Sequence, residues 1–190
     1  MKKVVYSLGM LALVAAVTVP YQSCNIKDKV IENLVENFDL DGGTITFDIP
    51  IITDTTGTVN GDTTMVDLNL DAKIKEVASS LGTNDIETIN ITECKLTINN
   101  SDANNDASNF KSATASLYSD VNTTPVTIST NGDVPNTPGT EITLTPATVN
   151  LADYMKTGTK LYYYASAHMR KATTKVLNCT MKVKYKVDFK

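Results

Sequence analysis

From Cys179 to Phe189 the chain alternates strictly: Cys179, Met181, Val183, Tyr185, Val187 and Phe189 fall on one side, with Thr180, Lys182, Lys184, Lys186 and Asp188 between them. Side chains at period two lie on one face of a strand, so this pattern commits one face of a long strand to a core and the other to water. A helix cannot satisfy it, because residues two apart sit on different sides of a helical cylinder. The chain therefore contains at least one half-buried strand, and that strand needs a sheet to join.

Other segments supply the sheet. Strands are expected over 43–52, 63–70, 86–98, 112–118, 125–129, 141–145, 160–169 and 174–189, separated by turn chemistry at Asp41-Gly42-Gly43, 57–62, 99–109 and 131–139. Leu161, Tyr163, Ala165, Ala167 and Met169 alternate with Tyr162 and Tyr164, which reads as a central strand apolar on both faces and forming a hairpin with the last strand across 170–173. Leu70, Ile74, Val77, Ala78 and Leu81 share a helical face after Asp71 and before Gly82, which predicts a short helix over 72–80. A second turn or two of helix is expected over 150–156, and 26–38 also has helical spacing. The fold class is all-β, an antiparallel β-sandwich of about eight strands with one or two short peripheral helices.

The first 23 residues do not belong to that domain. Lys2 and Lys3 precede an apolar run, Val4 to Val19, which Pro20 closes just before Tyr21-Gln22-Ser23-Cys24. Sixteen residues fall short of the roughly 20 that a spanning helix needs. A basic tip, a short apolar stretch and a small residue before cysteine resemble a bacterial lipoprotein signal, and the relaxed box Ser23-Cys24-Asn25 resembles those of the Bacteroidota. The resemblance implies cleavage before Cys24, lipid attachment at Cys24, and a protein held at the outer membrane, facing the periplasm or the surface. Tyr21 and Gln22 depart from the usual Leu-led box. The expected organisation is a signal at 1–23, a lipidated tether at 24–40 and a β-sandwich at 41–190.

Without the signal, 15 basic residues face 21 acidic ones, a net charge of −6, which excludes a general nucleic-acid binder. Charge is also segregated. Residues 156–190 carry nine basic residues and only Asp188, yet Lys182, Lys184 and Lys186 are explained as the wet face of the last strand, complemented by acidic neighbours. Cys94 and Cys179 both occupy core-facing positions; in an oxidising compartment they form either a disulfide or two separate buried thiols.

Few residues offer chemistry. The loop 99–106 is rich in Asp and Asn oxygens that suit calcium but lacks the glycine and glutamate of an EF-hand, and turn formation accounts for it as well. Asp54-Thr55-Thr56 and Asp62-Thr63-Thr64 resemble the O-glycosylation signal of Bacteroidota proteins, which implies Thr55 and Thr63 as acceptors. His168, the single histidine, lies in a strand with no nucleophile or metal-ligand spacing around it and reads as a surface polar position. No catalytic residue, metal or other cofactor is expected. The function read from these features is a non-enzymatic envelope protein with a structural, assembly or binding role, its partners being the membrane through the lipid and an envelope protein or glycan. An accessory lipoprotein that binds glycans or nutrients is the second choice, for which Tyr162 and Tyr164 are the one aromatic row, and a small hydrolase is the third.

Overall fold

The structure is a computed structural model that describes residues 38–190. The signal, Cys24 and the helical spacing expected over most of 26–38 lie outside the described residues. Nine strands form among them: β1 (Phe38–Ile49), β2 (Thr58–Asn60), β3 (Thr64–Asp67), β4 (Ile86–Ile98), β5 (Phe110–Ser119), β6 (Val126–Asn131), β7 (Glu141–Pro146), β8 (Lys160–Met169) and β9 (Leu177–Phe189). Two short helices, α1 (Leu70–Val77) and α2 (Ala152–Met155), interrupt them. All pairings are antiparallel, and the order is β1-β9-β4-β7-β6-β5-β8-β2, with β3 also on β8. The fold is all-β, as the alternation requires.

Strand β7 makes the sheet two-layered. It pairs with β4 through Cys94↔Leu144 and Leu96↔Ile142, then with β6 through Ser129↔Pro146 and Thr130↔Thr145, so one continuous sheet curls over itself. Between the layers lie Ile45, Ile89, Leu96, Phe110, Leu117, Ile128, Tyr163, Met181, Val183 and Tyr185, each 2% exposed or less. Leu70 and Ile74 of α1 and Ala152 and Met155 of α2 are buried too. The α2 turn caps the end of the core where the Leu151 amide donates to the Ile89 carbonyl, 2.8 Å.

Several expectations change. Strands β8 and β9 are not a hairpin: β9 lies between β1 and β4 in one layer, and β8 lies between β5 and the β2/β3 pair in the other. The two strands face each other across the core, where the Tyr163 and Tyr185 hydroxyls hydrogen-bond. The link 170–176 crosses between layers and is held by Arg170, whose guanidinium donates to the carbonyls of Ser108 (3.1 Å), Phe110 (2.7 Å) and Val134 (2.6 Å). Arg170 thus pins the start of the link to the β5 edge of its own layer, and the chain then crosses to β9, which pairs with β1 and β4.

The glycines at 42 and 43 make no turn. They form a bulge inside β1, where the register with β9 shifts between Asp41 and Thr44 and Gly43 takes φ +83°. A β-carbon on Gly42 would sit 2.5 Å from the Tyr185 ring and 2.9 Å from the Val183 carbonyl, so only glycine fits. The folded unit begins earlier than residue 41 as well, because Phe38 and Leu40 are buried and pair with Val187 and Tyr185. Strand β2 falls in a segment expected to be loop; three residues are too few to show a period. The side-chain cap of α1 is Asn69, whose Oδ1 accepts from the Ala72 amide at 3.3 Å, while Asp71 pairs with Lys75 at 2.6 Å. The helix ends at Val77 and leaves that residue exposed, although the helical pattern groups it with the buried face.

Candidate functional site

The two outward faces of the sandwich differ in kind. On the β1-β9-β4 layer the outward positions form a charge lattice: Asp41 stands opposite Lys184, which stands opposite Glu93, while Asp39 and Asn90 flank Lys186. Lys184 Nζ meets Glu93 Oε2 at 2.7 Å, and one strand further Lys95 meets Glu141 at 3.2 Å. The Lys184 hydrogen bond and charge hold the Glu93 carboxyl below its ordinary value, and Glu93 raises Lys184 in turn. Lys184 and Lys186 are thus compensated by acidic neighbours, whereas Lys182, expected to be complemented in the same way, stands opposite Thr44 and Lys95.

The outward face of the other layer is neutral. Its rungs run across the strands as Met65–Tyr162–Tyr118, Tyr164–Ser116–Thr127, Asn60–Ser166–Thr114–Thr130 and Thr58–His168–Ser112. Charged side chains on β5 and β8 occur only toward the ends, at Lys111 and at Lys160 beside Asp67. Tyr118 and Tyr162 stack with centroids 4.8 Å apart and planes 7° from parallel. Directly opposite residues on neighbouring strands are separated by the strand spacing, which is the stacking distance of two rings that stand up from the sheet. One face of each ring is thus covered by the other. Met65, beside Tyr162, is 47% exposed.

Tyr162 and Tyr164 are therefore half-buried outward residues and not core, which corrects the reading of β8 as apolar on both faces. The partners on the same face, Ser166 and exposed His168, are the signal that identifies it as the wet side. His168 Nε2 lies 3.2 Å from the Thr58 hydroxyl, on the surface as its neighbours in the strand imply. Tyr118 and Met65 carry no mark in the sequence that sets them apart; only the register brings them beside Tyr162.

Cys94 and Cys179 are free and buried. Cys94 is opposite Val183 and Cys179 is opposite Ile98, a four-residue offset along β4 and β9 that separates the pair by about 13 Å, against the roughly 7 Å limit between bridged Cα atoms. The disulfide alternative is corrected to two separate thiols, which burial pushes up to about 11 at Cys94 and about 12 at Cys179. In the loop expected to offer calcium ligands, Asp102 is bound by Lys175 at 2.6 Å and accepts from Asn104 and Asn105, while Asp106 accepts from the Ser108 amide. Its oxygens are used in folding the loop, and no group of three or more His, Cys, Asp or Glu able to hold a metal occurs among the described residues. Thr63 is exposed between β2 and β3, whereas Thr55 is half-buried in the bend before β2, where Asp54 accepts from the Thr56 amide at 2.9 Å.

Cavities are modest. One of about 370 Å³ lies between Asp67–Asp71 and Met155–Thr159, and one of about 290 Å³ lies under the loop with Pro135 and Pro138. Among the described residues no helix is long and apolar enough to cross a membrane. No protein-family model matches the chain, and no curated protein matches it in sequence.

Proposed function

We propose that this chain is a lipid-anchored protein of the cell envelope with a non-enzymatic role in assembly or binding, and that its working surface is the neutral face of β5, β6 and β8. The observation that carries this reading is the contrast between the two faces. The β1-β9-β4 face is charged, as solvated surfaces are; the other face, with Tyr118, Tyr162, Tyr164 and the exposed Met65 and few charges, shares with protein contact surfaces their depletion in Lys, Glu and Asp and their enrichment in aromatic residues and Met, although its serines do not. The signal anatomy before Cys24 supplies the anchor, since two or more acyl chains on one residue hold where a single chain does not.

Glycan binding is the second reading, favoured by the outward Tyr162 and Tyr164. It ranks lower because Tyr118 and Tyr162 each cover one ring face of the other, which halves the aromatic surface the pair could offer a sugar. Fractionation of cells that express the full chain tests the anchor: the wild type is expected with membranes and Cys24→Ser in the soluble fraction. A wild type found in the soluble fraction overturns the anchor.

A further inference from the structure

We propose that the neutral face receives a second copy of this chain, in a side-by-side pair with both anchors in one membrane. The inference deepens the proposed function and rests on it. Strand β1 begins at Phe38, so the chain enters the domain at the end occupied by Phe189 and Ile86, and residues 25–37 separate that end from Cys24. β5 and β8 run between this end and the opposite one, where Phe110 and Met169 pair. The sheet faces are therefore lateral to the anchored end. Two copies in one membrane can bring such faces together by a two-fold axis along the strands, which leaves both anchored ends on the same side.

Self-contact also demands that a face tolerate its own image. On the charged face, Asp39, Asp41 and Glu93 of one copy would have to find lysines of the other in one exact register. The neutral face makes no such demand along the eight residues from Leu161 to His168. The axis keeps each rung at its own height, and when it passes over β5 and β8 it brings Tyr118 and Tyr162 of one copy against the same two residues of the other, a four-ring cluster at the contact. Aromatic anchors of this kind dominate binding energy in interfaces.

Area fixes the strength expected. The outward projection of β2, β3, β5, β6 and β8 is about 500 Å² per copy, from strand spacing and rise, or about 1,000 Å² for the pair. That is at the lower edge of specific interfaces, so the contact is weak in dilute solution, and confinement of anchored copies to one membrane plane raises their effective concentration enough to fill it.

The test uses the full chain in its own membranes, with Ser166→Cys on the neutral face and Thr143→Cys on the charged face, treated with a short bismaleimide. Ser166→Cys is expected to give an adduct of twice the chain mass and Thr143→Cys none, and adding Tyr162→Lys to Ser166→Cys is expected to cut the yield at least about fivefold. Protection of Cys94 and Cys179 from the reagent certifies that each variant is folded. Equal adducts from both positions, no adduct from folded Ser166→Cys, or an adduct whose mass identifies a different protein overturns the proposal. Recovery of the wild type in the soluble fraction overturns the anchor and with it the pairing in one membrane, an outcome distinct from a membrane-bound chain that gives no adduct.

Discussion

The hydroxyls of Tyr163 and Tyr185 meet in the core, one from each layer, and neither residue is more than 1% exposed. Changing either tyrosine to phenylalanine keeps the ring and its buried area but leaves the opposite hydroxyl without its partner. An unsatisfied buried hydroxyl costs about 1–3 kcal/mol, so each single variant is expected to lose that amount. In a domain of this size each kcal/mol lowers the melting temperature by about 3–4 °C, which puts the single-variant shift within easy reach of a thermal scan. Removing both hydroxyls leaves nothing unpaired. The double variant Tyr163→Phe, Tyr185→Phe is therefore expected within about 1 kcal/mol of the wild type, with a coupling energy that rivals either single effect. Urea denaturation monitored by tyrosine fluorescence measures all four corners of the cycle, and an unchanged denaturant slope confirms that stability alone has moved. A double variant whose loss equals the sum of the singles would show that the two layers are not joined at these rings, and the placement of β8 across from β9 would fail with it.

Other outcomes follow from the same framework. Val183→Asp puts an unpaired carboxylate into a position with no exposure and is expected to unfold the domain or cost several kcal/mol, whereas Lys184→Asp, one residue on and facing water, sets a carboxylate between Asp41 and Glu93 and is expected to cost only about 1–2 kcal/mol with a cooperative transition; circular dichroism melts compare them. Gly42→Ala drives a methyl group into the Tyr185 ring and the Val183 carbonyl and is expected to cost about 1–3 kcal/mol by urea denaturation, while Gly57→Ala, with open space around it, should not. Thiol titration should find two groups on unfolding without reductant and essentially none in the native state. Because Cys94 and Cys179 ionise higher in the folded chain than the ordinary 9.0, their contribution to stability is complete below pH 9 and is lost as pH rises through about 11 to 12; denaturation midpoints from pH 7 to 11 should fall at the alkaline end, less steeply in Cys179→Ala.

How much of this was legible depends on how far each signal reaches along the chain. The alternation in β9 and β8 placed those strands and, for β9, the buried face, because period two is local. The sequence of β4 marks a strand too, although its two bulges, between Ile86 and Thr88 and between Ile91 and Glu93, break the alternation into the inward set Ile86, Ile89, Ile91, Cys94, Leu96 and Ile98. Partnership was not legible. The step from β8 to β9 looks like a hairpin because 170–173 is short and polar, and only the pairing of β9 with β1 and β4 shows that the chain changes layer. The same limit explains the candidate surface: Tyr162 and Tyr164 were visible as a pair, but whether they faced core or water depended on which side of β8 the other layer covers. The thiols give the converse case, since both were correctly placed on inward positions and a four-residue register offset, unreadable from sequence, decides against a bridge.

The intact mass of the mature protein, isolated from its own membranes, reads the anchor itself. The chain is expected to begin at Cys24 and to carry a diacylglyceryl group on its sulfur, with a further acyl chain on the new amino group in the fully processed form. An unmodified chain, or one that begins at any other residue, would contradict the anchor and remove the membrane plane on which the proposed pairing depends.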